Sequence, residues 1–295
     1  MKPTATRAIL AAAALFAAAT PAAAQRDFNW AGQIPAGATI RVFTQNGTVT
    51  VRQASDGRAR VRGETVEGEM RFVRGGGSGG DFRVCAVRDE DADCTDSGIR
   101  NDGNRGWSRR QRGRANFTVE VPRGVLVRVS SGNGDVSVEG ATADVHAGSG
   151  NGDVRVGSGA ARVHASSGNG VVMVESARGP VQASSGNGRV VVNAATGPVN
   201  ASTGNGRIEV ALASMRGAGD MEFSSGNGNV TLRLPSDFGA ELEASTGHGS
   251  IETDFPLQVQ GRVSQHRMAG RIGSGGRRLK ISTGNGSIYL RRGGS

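Results

Sequence analysis

The sequence predicts an all-β protein built as a parallel β-solenoid, a single-stranded β-helix-like stack of two-strand repeats of about 18 residues. Three observations carry this prediction. Glycine supplies 48 of the 295 residues, which argues against a helical protein because glycine costs about 1 kcal/mol at each helix position. A Ser/Thr-Gly-Asn-Gly tetrapeptide recurs along the chain, and apolar residues alternate with polar ones on both sides of it.

The tetrapeptide marks the turn of each repeat. An Asn-Gly pair suits a tight turn because glycine adopts positive φ without a steric penalty. The repeat-turn positions are Asn46, Asn133, Asn151, Asn169, Asn187, Asn205, Asn227, His248 and Asn285, and the five from Asn133 to Asn205 are each 18 residues apart. Stacked in register, these side chains would form one ladder, although turn propensity alone also explains the asparagines.

The apolar positions of one unit predict two short strands with one buried face. Val181 and Ala183 precede a turn, and Val190 and Val192 follow it. Four modest side chains cannot stabilise a unit by itself, so the units must stack on one another. An antiparallel meander or sandwich is the alternative, but it gives no reason for a constant unit length. We expect Gly188, which ends this turn, to require positive φ.

Residues 1–24 have the pattern of a secretory signal peptide. A short basic segment precedes an apolar run of about twelve residues, and residues 22–24, all alanine, form a small-residue cleavage site. The run is too short to span a bilayer and no later one is longer, so we predict no transmembrane segment. The mature chain should be exported to the periplasm, the cell surface or the extracellular space. In that oxidising setting, Cys85 and Cys94 are expected to form a disulfide.

The remaining chain divides into two regions. Residues 25–120 hold the first β coils and an irregular insertion at about 66–116, which is glycine-rich and basic and contains both cysteines. Residues 121–295 hold the regular repeats, with a break at about 253–277 and a C-terminal final coil. Both interruptions are expected to cap the solenoid, because an open sheet edge would template aggregation.

Several segments identify a family resemblance. They are Trp30 with the Ala-Gly that follows it, Thr-Gln-Asn-Gly-Thr-Val from Thr44, Phe-Thr-Val-Glu-Val-Pro-Arg-Gly-Val from Phe117, and the Ser/Thr-Gly-Asn-Gly-x-Val units. Together they resemble the DUF4097-type family of secreted bacterial adhesins over most of the mature chain. The resemblance implies a β-helix-like fold and a cell-surface or envelope setting. It implies no catalytic residues, because the family offers no motif to match.

No metal or cofactor site is predicted. Calcium-binding repeats need an Asp in every half-turn, and only Asp135 and Asp153 directly follow a repeat turn. His146 and His164 are 18 residues apart and could share a metal if stacked. Gln182 takes the next place in that column, which favours a polar surface ladder instead.

The sequence gives no sign that the acidic and basic residues needed for catalysis come together in one place. A polysaccharide-active enzyme on a solenoid would need clustered acids or bases in one groove. Asp135, Asp153, Arg189 and Arg207 are the available candidates. No nucleophile elbow, phosphate-binding loop or dinucleotide fingerprint occurs between a strand and a helix. We therefore predict no catalytic residues and no enzyme.

A basic stretch near the end of the insertion is the strongest candidate contact patch. Its residues are Arg105, Trp107, Arg109, Arg110, Arg112 and Arg114. Arginine binds carboxylate and phosphate in two-pronged fashion, and tryptophan can stack on a sugar. The alternative is a solvated loop balanced by the acidic residues near 89–93. The formal net charge is +9, and nearly all the positively charged residues are arginine. A GC-rich genome would also produce this arginine content, so we predict no specific nucleic acid as partner.

These observations lead to three functional hypotheses. The first is a monomeric, non-enzymatic surface or envelope binding protein, adhesin-like, that presents repeated outward columns on a rigid solenoid and gains strength through multivalency. Its partner would be an acidic glycan, lipopolysaccharide or an envelope protein. The second is an envelope sensor or accessory protein that binds one partner through residues 75–115. The third is a polysaccharide-active enzyme.

Overall fold

The computed structural model describes residues 27–88, 92–101, 113–214, 219–259 and 264–293, and nearly every element in them is a β-strand. The first part of the chain provides β1 (Asp27–Gly32), β2 (Thr39–Asn46), β3 (Val49–Gln53), β4 (Ala59–Glu67), β5 (Arg71–Gly76), a short 3-10 turn (Ser78–Gly80), β6 (Phe82–Val87), β7 (Ala92–Thr95), β8 (Gly98–Asn101) and β9 (Arg114–Val121). The regular repeats provide β10 (Leu126–Asn133), β11 (Val136–Val138), β12 (Val145–Asn151), β13 (Val154–Val156), β14 (Val163–Asn169), β15 (Val172–Val174), β16 (Val181–Asn187), β17 (Val190–Ala195), β18 (Val199–Asn205), β19 (Ile208–Leu212), β20 (Met221–Asn227) and β21 (Val230–Leu234). The C-terminal part provides β22 (Ala240–His248), β23 (Ile251–Thr253), β24 (Leu257–Val259), β25 (Arg267–Ile272), β26 (Arg278–Asn285) and β27 (Ile288–Arg292).

The strands stack as the coils of a parallel solenoid. Within the described residues they form a twelve-stranded sheet, here sheet A, and a thirteen-stranded sheet, here sheet B, while β7 and β8 pair as a separate hairpin. Each regular coil consists of a sheet B strand, the repeat turn and a sheet A strand. β12 pairs in parallel with β14, so that Val145 lies opposite Val163 and Asn151 opposite Asn169. The predicted β-solenoid is confirmed, and the repeats do not form an antiparallel meander.

The core lies between the two sheets and follows the predicted alternation. Val181, Ala183, Val190 and Val192, the four apolar residues of one coil, are at most 1% exposed. Equivalent residues of the neighbouring coils are buried in the same cluster, which runs along the solenoid. Each coil therefore depends on its neighbours for burial, as expected for a repeat protein.

Each residue of the repeat tetrapeptide has a structural task, as one coil illustrates. Ser185 points inward, and its hydroxyl donates a 2.8 Å hydrogen bond to the carbonyl oxygen of Gly170 in the preceding coil. A Cβ atom at Gly186 would lie 2.5 Å from the carbonyl oxygen of Gly168, and one at Gly188 would lie 2.0 Å from that of Gly170. The close approach of neighbouring coils therefore requires both glycines.

The conformation of the last glycine of the turn differs between coils. Gly152 and Gly170 have φ values of 149° and 156°, in the region that favours glycine, whereas Gly188 does not lie there. The expectation that Gly188 needs positive φ is therefore wrong. Contact with the backbone of the preceding coil is the reason for glycine at this position.

At the N-terminal end, a further coil stacks on the outer side of the first coil, and the chain forms it before the regular repeats begin. β2 and β3 pair with β10 and β11 on one side, and with β6 and β9 on the other. An outer coil of β6 and β9 thus lies within the region where the sequence indicates an irregular insertion. β5 pairs antiparallel with β6, β4 pairs antiparallel with β9, and β1 covers β4, which ends the parallel stacking.

At the C-terminal end, the order of the coils in space differs from their order in the chain. β26 lies between β20 and β22, and β27 lies between β21 and β23. The last coil of the sequence is therefore inserted between two coils that precede it. The outer edge of β22 is covered by antiparallel β25, which in turn pairs with β24.

Candidate ligand-binding face

The repeat-turn asparagines form one ladder along an edge of the solenoid. In each step the amide nitrogen of one asparagine donates a 2.7 Å hydrogen bond to the amide oxygen of the asparagine in the preceding coil of the stack. The spatial order of the ladder is Asn46, Asn133, Asn151, Asn169, Asn187, Asn205, Asn227 and Asn285, with His248 opposite Asn285 at the end. The ladder joins neighbouring coils, so these frequently repeated side chains are already engaged with one another.

The outer face of sheet B carries two columns of mostly polar side chains that are in register from strand to strand. The first, here the serine column, contains Ser130, Gly148, Ser166, Ser184, Ser202, Ser224, Ser282 and Ser245 in spatial order. The second, here the charged column, contains Arg41, Arg128, His146, His164, Gln182, Asn200, Glu222, Lys280 and Glu243. Because strands lie about 4.8 Å apart, each column repeats its groups at that interval.

A disulfide-bonded hairpin stands at the N-terminal end of this face. Cys85 and Cys94 are joined, which confirms the predicted disulfide. Phe43 and Cys85 occupy the two positions that continue the serine column beyond Ser130. Phe43 is buried together with Cys85 in a small apolar cluster against which Ile99 of the hairpin packs. The β7–β8 hairpin therefore closes one end of an otherwise open face.

A cleft lies where this hairpin meets the repeats. Its volume is about 310 Å³, and its lining includes Phe43, Gln45, Arg88, Ile99 and Ser130. The side-chain oxygen of Gln45 accepts a 2.8 Å hydrogen bond from the backbone N–H of Arg88. The cleft thus combines an apolar wall, an arginine and the first hydroxyl of the serine column.

The arginines at this end differ in how their charges are balanced. Arg41 forms a 2.7 Å ion pair with Asp81, and Arg83 pairs with Asp96. The hydrogen bond from Arg41, with one from the backbone N–H of Thr39, lowers the pKa of the Asp81 carboxyl. Arg128, the next member of the charged column, has no ion pair in the described part of the chain.

The two histidines of the charged column are stacked. The ring centres of His146 and His164 lie 5.4 Å apart, and His164 Nδ1 is 3.1 Å from the side-chain oxygen of Gln182. Partial burial lowers the pKa of His146, and the positive charges of His164 and Arg128 lower it further. The charged form of the His146 imidazole is therefore less favoured than that of an isolated imidazole.

A family model for the Toastrack domain DUF4097 matches residues 37–291 of the chain, which include every regular coil. The chain belongs to the Toastrack DUF4097 family. The resemblance noted in the sequence is thus confirmed. No curated protein matches the chain.

Two solved structures are similar to this Toastrack chain. A "putative cell adhesion protein" from Clostridium sporogenes is 10% identical, with a TM-score of 0.30, covering 90% of this chain and 99% of its own. A "putative adhesin" from Bacteroides fragilis is 13% identical, with a TM-score of 0.44, covering 90% of this chain and 97% of its own. In the part of the Toastrack chain that the structure describes, no helix is long and apolar enough to cross a membrane.

The predicted contact patch is only partly visible in this Toastrack structure. Arg105, Trp107, Arg109, Arg110 and Arg112 lie outside the described residues, as does the predicted signal peptide of residues 1–24. Arg114 begins β9, is exposed and pairs in register with Glu67 of β4. The segment that carries the patch joins the disulfide hairpin to β9, so both of its ends are near the N-terminal end of the solenoid.

The acidic and basic residues considered for catalysis lie along the turn edge rather than in a groove. Asp135 accepts a 2.8 Å hydrogen bond from the backbone N–H of Asp153, and Asp153 accepts one of 2.7 Å from that of Val171. Arg207 lies 3.8 Å from Glu209. Among the described residues, no group of three His, Cys, Asp or Glu side chains is placed to hold a metal. These carboxylates serve the coil-to-coil ladder of the Toastrack fold.

Proposed function

We propose that the protein is an exported, monomeric, non-enzymatic binding protein of the cell surface or envelope that acts as an adhesin towards acidic glycans. The outer face of sheet B would be the binding surface. The observation that carries the proposal is the pair of outward-facing polar columns, which present equivalent groups on successive strands of the sheet.

The geometry favours a long ligand over a small molecule. A regularly spaced face offers many weak contacts, and a linear polymer can occupy several of them at once. Hydroxyl, amide, imidazole and guanidinium groups are the donors that sugars and their acid substituents accept hydrogen bonds from. The disulfide supports a location in an oxidising compartment, in agreement with the predicted signal peptide.

Co-sedimentation with isolated bacterial envelopes and with an acidic polysaccharide, at low and high salt, tests this proposal. Binding should saturate and persist at high salt, since a purely electrostatic association would be screened. Ser184→Trp would obstruct the proposed face, and Thr231→Trp is the matched control on the outer face of sheet A. Loss of binding in the Ser184 variant alone is expected, and equal binding by both variants would overturn the assignment of the face.

The disulfide-bonded hairpin favours a second candidate function, a sensor or accessory protein that holds one partner at the N-terminal end. The cleft beside Ile99 and the basic residues that follow the hairpin would then provide the contact. Changing Arg109, Arg110 and Arg112 to Gln separates the two candidates in the same assay. If that variant loses binding and Ser184→Trp keeps it, the second function replaces the first.

An enzyme would behave differently from either binding protein. It would release new ends or shortened products from the acidic polysaccharide during the incubation. We expect none, because the candidate acids Asp135 and Asp153 accept backbone hydrogen bonds within the solenoid. Product release that disappears on mutation of a few charged residues would refute the non-enzymatic assignment.

A further inference from the structure

Three consecutive members of the charged column form a compact row of nitrogen donors. Arg128 lies opposite His146 on the neighbouring strand, and His146 lies opposite His164. The histidine rings are 5.4 Å apart, and Gln182 extends the row by contacting His164 Nδ1 at 3.1 Å. All four side chains stand on the outer face of sheet B, beside the serine column.

The row can carry more positive charge than the nearby carboxylates balance. Arg128 on β10 has no ion pair in the described residues, and the next residue of the column, Arg41, is already paired with its own aspartate. Asp144 and Arg162, which precede the two histidine strands, lie 3.5 Å from one another and largely cancel. When both imidazoles carry protons, the row therefore holds three positive charges that lack carboxylate partners among the described residues.

We propose that Arg128, His146 and His164 form an anion-binding row that takes successive carboxylate or phosphate groups of a linear polyanion and binds them more tightly in acid. This inference deepens the proposed function by naming the residues that recognise the acid groups. It rests on the proposed function in taking an acidic glycan as the natural ligand. The shared chemistry is a polymer with regularly spaced anions.

Strand spacing gives the row its fit to a polymer. Neighbouring strands place equivalent groups about 4.8 Å apart, so the two intervals from Arg128 to His164 span about 10 Å, close to the length of two linked sugars in an extended chain. Arg128 can hold an acid group through two parallel N–H donors, and each protonated imidazole donates a charge-assisted bond. The serine hydroxyls alongside can contact the sugar hydroxyls.

The pH dependence follows from proton linkage. Burial and the neighbouring positive charges lower the pKa of His146, so this imidazole is neutral near neutral pH. A bound anion favours the protonated imidazole of His146, which means that binding takes up a proton there and opposes the lowering of its pKa. Affinity must then rise as the pH falls through the pKa of His146.

The test measures binding of the purified protein to sodium polygalacturonate, to polyphosphate and to uncharged dextran at constant ionic strength. We expect polyanion affinity to be about tenfold higher near pH 5 than near pH 7.5, and dextran binding not to change with pH. Polygalacturonate and polyphosphate distinguish carboxylate from phosphate as the preferred group.

The chain contains four histidines, which provides a matched control. His146→Gln with His164→Gln removes the row's titrating groups while keeping a residue that the same column already uses at Gln182. His248→Asn with His266→Gln removes the two histidines elsewhere, both of them exposed. The first double variant should bind with the same affinity at both pH values, and the second should behave as the unmodified protein.

A second measurement does not depend on affinity. Proton uptake on binding, obtained by calorimetry in two buffers of different ionisation enthalpy, should disappear in the His146/His164 variant. If polyanions bind and the pH dependence survives in that variant, the row is not the site and the adhesin proposal stands. If no polyanion binds but envelopes do, the row and the acidic glycan as ligand are both refuted, while adhesion to the envelope stands. If neither binds, the proposed function itself fails.

Discussion

Gly188 and Gly148 provide a matched pair of glycine-to-alanine substitutions that tests why the repeat turn needs glycine. A Cβ atom at Gly188 would lie 2.0 Å from the carbonyl oxygen of Gly170 and 2.6 Å from its carbonyl carbon. At Gly148, in the serine column, the nearest atom to a new Cβ is the hydroxyl of Ser166 at 3.5 Å, an ordinary contact. Both residues lie in regular coils, and the same methyl group is added at each.

The loss in free energy of unfolding on Gly188→Ala can be estimated from the hydrogen bonds that must break. The 2.0 Å separation is more than an ångström shorter than a normal van der Waals contact, which is about 3.5 Å. The two turns must therefore move apart locally by roughly that difference. That shift disrupts the 2.8 Å bond from Ser185 to the Gly170 carbonyl and the 3.1 Å backbone bond from Gly170 to Asn187. At about 1 kcal/mol for each bond, and more for a buried acceptor left unpaired, Gly188→Ala should cost about 2–4 kcal/mol.

Urea unfolding followed by circular dichroism measures the difference between the two variants. Gly148→Ala should be neutral or stabilising by up to about 1 kcal/mol, because alanine restricts the unfolded chain. Equal m-values are required for the comparison, since repeat proteins can unfold in parts. If the two variants unfold at the same urea concentration, the close approach of the coils does not explain the glycine at 188.

Three further predictions concern stability. Cys85→Ala with Cys94→Ala should lower the free energy of unfolding by about 2–3 kcal/mol, because the short loop is no longer closed; reductant should then destabilise the unmodified protein and leave the variant unchanged. Ser185→Ala should cost about 1–3 kcal/mol in urea melts because it leaves a carbonyl oxygen of the preceding coil without its donor, whereas its outward neighbour Ser184→Ala should be neutral. Because the pKa of Asp81 is lowered, its contribution to the free energy of unfolding is present above the pKa of an aspartate in the unfolded chain and is lost as the pH falls. The urea midpoint of Asp81→Asn should therefore decrease less on acidification than that of the unmodified protein.

The regular part of the fold could be predicted because its signals are local and repeated. An 18-residue period, a turn tetrapeptide and two alternating segments specify where each strand begins and which side faces the core. Val145 then meets Val163, and Val163 meets Val181, because like residues stack when every coil has the same length. In-register stacking of equal units follows from the sequence without knowledge of distant contacts.

The sequence indicates caps at the two ends, but the strand pairing there could not be predicted because it is not local. Every coil offers the same pattern to its neighbours, so periodicity alone does not say which coil lies beside which. Charges help to distinguish them: Lys280 on the inserted coil lies 2.9 Å from Glu222 and is in register with Glu243 on the other side. The inserted coil thus meets acids on both flanks, and this complementarity is recognisable only when the pairing is known.

The candidate face depends on one departure from the repeat pattern. In the regular units the residue three positions before the turn Asn is Ser or Gly, and it points outward from sheet B. Before Asn46 the same position is Phe43, which would be exposed if the face continued unchanged. A phenylalanine in a polar outward column indicates that something covers it, and the disulfide of Cys85 holds the covering hairpin there. The deviation from the repeat, rather than the repeat itself, therefore contained the information about where the open face ends.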